Sequence, residues 1–272
     1  MEPEFVHMAR YLRSLKIGRI LTLLRNSDMK QLEDTNVCIL ALTYGRHSDT
    51  AKVWANNLSN HRHPGNVHLY HWDNTEREGS AEMQAICGKY DRAVMFANLE
   101  NDGIAKPLNV MMKIAFETGA DYVCTMSNDM LEQDGWLVQM TLAAMQLQNA
   151  GIISIPPTDN TVTRYPQWDD SGWIIEEGDL VGNFFITRKL WQAIGGFSED
   201  YGNYGPIDID YCLRARIAGF RTIYLSNFKT DHIGFVQDKD YKEPKMKLLT
   251  KAWPIFWANC AGYRSGRKDI KM

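Results

Sequence analysis

The feature that most constrains this chain is a regular alternation of short apolar runs and longer amphipathic stretches between residues 37 and 155. VCILALTY (37–44) is apolar, partly β-branched and ends at Gly45, which predicts a buried strand. NVHLYHW (66–72) alternates and predicts a second strand, closing at Asp73-Asn74. RAVMFAN (92–98), DYVCTMS (121–127) and GIISIPP (151–157) predict three more. Residues 48–60, 80–88, 107–119 and 135–150 carry helical patterns between them. Ser48 is a candidate N-cap with Asp49 in the first turn. PLNVMMKIAFETG has Pro near its start and Gly after its end, as helices favour. Such an order predicts an α/β fold, a mostly parallel sheet flanked by helices on both faces.

Ligands of such sheets bind beyond the carboxyl ends of the strands. Polar residues gather there: Thr43-Tyr44-Gly45-Arg46, Asp73-Asn74, Asn98 to Asn101, and Asn128-Asp129. All should meet on one rim. Residues 5–25 predict an amphipathic helix, basic on its polar face. The stretch 156–240 is looser, rich in Trp, Gly and Asp, and there is no internal repeat.

Charge is unevenly spread. The net is −3, yet residues 1–30 carry +3 and residues 241–272 carry +6, leaving −12 on 31–240. The five cysteines, Cys38, Cys87, Cys124, Cys212 and Cys260, include no CxxC pair, which argues against a zinc ribbon or a thioredoxin motif. Three lie in apolar runs and read as buried free thiols, which suits a reducing compartment. No run of about 18 apolar residues suggests a transmembrane helix. The first residues lack a signal-peptide pattern, so a cytoplasmic protein is the expectation.

Three motifs carry candidate chemistry. Ser127-Asn128-Asp129 follows an apolar strand, and a carboxylate there can bind a hard divalent cation; a plain turn gives the same pattern. In GPIDIDYCLRARIAGF (205–220), Asp210 reads as a helix cap and Asp208 as a candidate general base, with Arg214 and Arg216 as ordinary ion-pair partners. In TDHIG (230–234), His232 is by itself more often structural, but with a distant Asp129 it completes a metal pair.

These pieces stand in a known order. Over about residues 37–235 the chain resembles glycosyltransferase family 2, enzymes of GT-A fold (Rossmann-like) that use nucleotide sugars, and most closely its rhamnosyltransferase-like branch. VCILALTYGR resembles the first strand and turn, HWDN the second strand with its D-N pair, and NDGIAKPLN the N-x-G-x-A segment. ADYVCTMSND resembles the segment that ends in the metal-binding acid. GNFFITRKLWQAIGGFSEDYGNYGPIDIDYCLRARIAGFRTIYLSNFKTDHIG (182–234) resembles the branch almost throughout.

The resemblance implies a domain plan. Residues 1–36 would be an N-terminal helical extension and 241–272 a basic aromatic one. Residues 37–240 would be the catalytic domain, with a nucleotide-sugar half (37–130) and an acceptor half (131–240). It also implies roles. Thr43, Tyr44, Arg46 and Asp73 would hold the nucleoside of a UDP-, GDP- or dTDP-sugar donor. Asn101, Gly103, Asn109 and Asn128 would shape the donor pocket, and Asp129 with His232 would hold Mn²⁺ or Mg²⁺. Asp208 would deprotonate the acceptor hydroxyl, with Asp210 and Arg214 ordering its helix. Gly182, Asn183, Gly195, Gly196 and Phe197 would line the acceptor side, with Trp191 in the core.

This chain departs from the pattern at three points. Gly45 replaces the usual Asn of the first turn, Ser127-Asn128 leave one carboxylate rather than two, and Ile207 stands where the branch has Glu. The expected function is inverting, metal-dependent transfer of one sugar to a saccharide or glycolipid hydroxyl. Two alternatives stay open: transfer to hydroxymethylated bases of DNA, and a non-catalytic nucleotide-sugar-binding protein. A dinucleotide enzyme is poorly supported, because no G-x-G-x-x-G follows the first strand. The segment 241–272 mixes basic residues with Trp253, Phe256, Trp257 and Tyr263. It suits contact with DNA, contact with an anionic membrane surface, or simple packing of its aromatics on the core.

Overall fold

The computed structural model describes residues 26–44, 47–74, 81–89, 92–97, 100–158, 166–233 and 239–272. The helix expected at 5–25, and Arg46, lie outside them.

The described elements begin with α1 (Asn26–Glu33), β1 (Asn36–Thr43), α2 (His47–Asn60), β2 (Asn66–Asp73), α3 (Ala81–Cys87) and β3 (Ala93–Ala97). Then come α4 (Ala105–Glu117), β4 (Tyr122–Met126), β5 (Met130–Leu131), α5 (Trp136–Gln146) and β6 (Ala150–Ser154). The later part holds β7 (Gln167–Trp168), β8 (Ile174–Glu177), β9 (Phe185–Thr187), α6 (Arg188–Ile194), α7 (Ile207–Ile217), β10 (Arg221–Leu225), β11 (Asp231–His232) and α8 (Lys239–Arg264).

Nine strands form one sheet in the order β3-β2-β1-β4-β9-β6-β10-β8-β7. β1 to β4 pair in parallel, as the alternation requires, and β6 pairs with β10 in parallel. β9 enters antiparallel between β4 and β6, and β8 and β7 close one edge as an antiparallel pair. The sheet is therefore mixed, mostly parallel and covered by helices.

Side chains of β1 show how one strand feeds two cores. Val37, Ile39 and Ala41 point to one face, Cys38 and Leu40 to the other, and all are buried. The first face is covered by α1, α2, α3 and α5 through Leu32, Trp54, Met83 and Trp136. The second is covered by α4, α6, α7 and α8 through Met112, Leu190, Tyr211 and Phe256. β2 lies between β1 and β3, so its middle residues, Leu69 to His71, are buried on both faces despite the alternating sequence.

Local boundaries shift where tertiary contacts decide. Ser48 lies inside α2, which already begins at His47. Likewise α7 starts at Ile207 on Pro206, so Asp210 sits in the first turn and is not the cap. The segment 241–272 falls largely within α8, which begins before it, at Lys239. α8 buries Ala252, Phe256, Cys260 and Tyr263 and leaves Trp257 62% exposed. The packing alternative therefore accounts for most of its aromatics but not for Trp257. Trp191, expected in the core, is only partly buried and packs on its edge, stacking on Phe116 at 5.0 Å. All five cysteines are free and buried.

Candidate active site

The carboxyl ends of β1, β2 and β4 open onto a cleft of about 870 Å³. Of the residues singled out in the sequence, Thr43, Tyr44, Asn101, Gly103, Asn128, Asp129, Gly182, Asp208 and His232 line it. Asp129 and Asp208 are its two acids among the described residues.

Asp129 lies three residues past the end of β4, and the next two residues form β5. β5 pairs antiparallel with β11, placing His232 opposite Met130. Ile233 N–H donates to the Asp129 carbonyl at 3.0 Å. This short ladder closes a gap of about a hundred residues and sets His232 Nε2 3.3 Å from Asp129 Oδ2. Both side chains are partly exposed to the cleft.

The loop before Asp129 is held from behind. Asn183 is buried; its Oδ1 accepts from Ser127 N–H at 2.6 Å and its Nδ2 donates to Glu132 Oε1 at 2.6 Å. Glu132 is itself buried, and burial pushes its carboxyl up to about 7, against the pull of hydrogen bonds from Thr230 and Asn183. Asn183 therefore acts on the Asp129 loop from below rather than lining the cleft. Glu132 escaped the sequence reading because a single Glu after an apolar pair has no local signature.

Asp208 lies in the first turn of α7, and its Oδ1 accepts from Ile209 N–H at 2.9 Å. Burial pushes its carboxyl up to about 6; hydrogen bonds from backbone N–H groups hold it down, the Asp179 charge adds to the rise and Lys245 opposes it. Ile207, where the resembling branch has Glu, is buried in the apolar layer under α7. No second acid is present at that position.

Several of the expected residues are engaged in contacts within the fold. Asp73 is buried at the end of β2, opposite Thr43 in the register, and its neighbour Asn74 reaches the cleft. Asn74 Nδ2 donates to the Gly103 carbonyl at 2.5 Å, and Asn74 Oδ1 accepts from Asp102 N–H at 3.2 Å. Gly103 has φ +75°, and a Cβ there would lie 2.5 Å from Asn203 Cα, so both conformation and space require glycine. Asn109 faces away from the cleft and clamps the Phe197 backbone, donating to its carbonyl at 2.9 Å and accepting from its N–H at 2.7 Å. Gly196 packs against that amide; a Cβ would meet Asn109 Oδ1 at 2.2 Å. Gly195 packs in the same way on the Met272 backbone, while Phe197 does line the cleft.

Asp210 and Arg214 also stand apart from the cleft. Both are fully buried and paired at 2.8 Å. Tyr201 and Tyr263 hydroxyls donate to Asp210 Oδ1, and Arg214 donates to the carbonyls of Ile194, Gly196 and Ile270. Their position matches an ordering role, not substrate contact. On the cleft itself the sequence reading missed Asn203, Tyr204, Lys245, Leu248 and Leu249.

No protein-family model matches this sequence, and no curated protein does. Solved structures do. The chain matches a mannosyltransferase, PcManGT from Pyrobaculum calidifontis, solved with GDP-Man and Mn²⁺, at TM-score 0.57 and 14% identity over 74% of this chain. It matches GalNAc-T7, solved with UDP, GalNAc and Mn²⁺, at TM-score 0.57 and 11% identity over 75% of this chain. The chain has a GT-A fold. It spans 57% of the first of those chains and 44% of the second. At such identities the GT-A likeness concerns the backbone, and the side chains of the cleft must carry the functional argument.

The donor set fits a divalent cation. Asp129 offers a carboxylate oxygen and His232 an imidazole nitrogen, already within 3.3 Å of each other on the cleft wall. Among the described residues no three His, Cys, Asp or Glu side chains gather into a full cage. Mg²⁺-type sites characteristically use one or two protein ligands and complete their shell with substrate phosphates and water. No helix among the described residues is long and apolar enough to cross a membrane.

Proposed function

We propose that this protein is a metal-dependent, inverting glycosyltransferase of the family 2 type, close to its rhamnosyltransferase-like branch. It would move one sugar from a UDP-, GDP- or dTDP-sugar to an acceptor hydroxyl on a saccharide or glycolipid. The observation that carries this is the Asp129–His232 pair at 3.3 Å in the same cleft as Asp208.

Asp129 and His232 would hold Mn²⁺ or Mg²⁺ against the donor diphosphate. The cation would neutralise charge that develops on the leaving nucleoside diphosphate. Thr43, Tyr44, Asn74 and Asn101 would meet the donor from the strand ends, where the family resemblance puts nucleoside contacts. Asp208 would take the proton of the acceptor hydroxyl. Its raised pKa keeps it basic enough to accept that proton near neutral pH. The Ile209 N–H fixes the orientation of that carboxylate. A base in the cleft, separate from the metal pair, suits direct displacement at the anomeric carbon and hence inversion. A silent nucleotide-sugar binder would have no use for a desolvated acid there. A cytoplasmic setting belongs to the same proposal, supported by five free thiols.

The test is a thermal-shift panel of UDP-, GDP- and dTDP-sugars with and without Mn²⁺. One nucleotide class should stabilise the protein, and only with metal. At a hundredfold excess over Kd the gain is about 2.7 kcal/mol. A flat panel in Mn²⁺ overturns the proposal.

A further inference from the structure

The inner face of α2 carries Val53, Trp54 and Leu58, all buried in the core. Asn57 lies on the same stripe and is just as buried. An apolar side chain would pack there without cost, whereas a buried amide is expensive unless its polar atoms are bonded. What Asn57 bonds is the far edge of the segment that holds β5.

β5 is two residues long, too short to hold itself in place. One edge of the segment faces β11. There the Asp129 carbonyl accepts from Ile233 N–H at 3.0 Å, and the Leu131 carbonyl accepts from Thr230 Oγ1 at 3.1 Å. Successive backbone groups of a strand alternate in direction, so the Met130 carbonyl and the Glu132 N–H leave on the opposite edge. Both end on one side chain. Asn57 Nδ2 donates to the Met130 carbonyl at 2.8 Å, and Asn57 Oδ1 accepts from Glu132 N–H at 2.9 Å. A carbonyl only accepts and a backbone N–H only donates, so the two bonds fix which way the amide points. They are the bonds that one residue of a parallel strand would make. α2 is tied to the same segment by Asn56 Nδ2 on the Glu132 carbonyl at 3.0 Å. Trp136 Nε1 adds a bond to the Asn57 carbonyl at 2.9 Å.

The consequence falls on the cleft. Asp129 directly precedes β5, and His232 stands opposite Met130. With β11 on one edge and Asn57 on the other, the ladder that holds the carboxylate and the imidazole at 3.3 Å is braced from both sides.

We propose that Asn57 is a positioning residue for the Asp129–His232 pair: its amide takes the place of a neighbouring strand, fixes β5, and so sets the spacing of the two cation ligands. This rests on that pair being a metal site. Asn57 acts through β5 and does not itself line the cleft.

The test is calorimetric titration of Mn²⁺ into the full chain with UDP or GDP present, beside the thermal midpoint of each variant. Asn57→Ala should lower Mn²⁺ affinity about 10–100-fold, the usual loss when a group that orients metal ligands is removed. Asn57→Asp keeps the acceptor for Glu132 N–H and loses the donor to Met130, so it should lose affinity too. Asn259→Leu is the control. It removes another buried amide, in α8, that donates to Asp200 and to the Tyr201 hydroxyl. It should lower the midpoint yet leave Mn²⁺ affinity within about twofold, because distant sites act independently. Parent-like affinity in a folded Asn57 variant overturns the proposal, and so does an equal loss in Asn259→Leu. If neither Asn57 variant folds, hydrogen exchange of the parent decides. The Glu132 amide should exchange as slowly as those of β4, and loop-like exchange overturns the brace. Asp129→Asn in the same titration separates the two levels. If it loses affinity while the Asn57 variants do not, only the positioning role falls; if it keeps parent affinity, the metal-site proposal falls.

Discussion

The Asp210 carboxylate and the Arg214 guanidinium meet at 2.8 Å, one helical turn apart, with neither side chain exposed. Around them Tyr201, Tyr263 and the carbonyls of Ile194, Gly196 and Ile270 satisfy the remaining donors and acceptors. The cluster ties the helix that carries Asp208 to both α8 and the last residues of the chain. Removing one partner of such a pair strands a buried charge, at a cost of about 3–5 kcal/mol. Arg214→Ala should therefore lower the thermal midpoint by well over 5 °C, read by calorimetry. A midpoint within 1 °C of the parent would show that the network is dispensable.

The metal pair makes a sharper claim. Groups that merely orient metal ligands cost about 10–100-fold in affinity when removed, and Asp129 and His232 would be the ligands themselves. Asp129→Asn and His232→Ala should each lower Mn²⁺-dependent nucleotide binding by at least about a hundredfold, measured by calorimetric titration. Parent-like Mn²⁺ affinity in both variants would remove the assignment. EDTA should stop transfer, and added Mn²⁺ should restore it.

Asp208 has a carboxyl raised to about 6. As the proposed base it must be ionised, so kcat/KM should climb with pH and level off above about 6. Asp208→Asn should cost about 10²–10⁴ in kcat with donor binding intact. An unchanged acid limb in this variant would point to another base.

Glu132 offers a stability test with a definite sign. Its carboxyl is raised to about 7 from an ordinary 4.5, so the folded state holds a proton that the unfolded chain releases. Its contribution is fully present below about 4.5 and is lost as pH rises through about 7. Glu132→Gln keeps an acceptor for Asn183 and removes the charge. It should stabilise the protein at pH 8 by about 1–3 kcal/mol, and the gain should vanish at pH 4. Urea unfolding at the two pH values reads this directly; equal effects at both would contradict it.

How much of this was legible beforehand depends on the range of the interactions involved. Val37, Ile39 and Ala41 alternate with Cys38 and Leu40, and Asp129 follows an apolar run. Such local periodicity marks strands and their ends without reference to the rest of the chain. The sequence by itself thus determined the mostly parallel, helix-covered sheet and the polar rim at its strand ends. It did not determine where β9 inserts, because antiparallel pairing between β4 and β6 depends on which edges remain open after the parallel strands assemble.

Tertiary structure alone decided which polar residues reach the cleft. His232 meets Asp129 only because β5 and β11 pair, and those two-residue strands are too short to show a period. Asn109, Asp210 and Arg214 have the residue types of a binding site, yet their side chains are engaged in hydrogen bonds within the fold, and Asp73 is buried at the end of β2. Lys245 and Trp253 looked like part of a basic tail. The packing of Ala252, Phe256, Cys260 and Tyr263 rotates α8 so that both enter the cleft beside Asp208. Which face of a helix is hidden is settled by what it packs against, and that partner lies up to two hundred residues away along the chain.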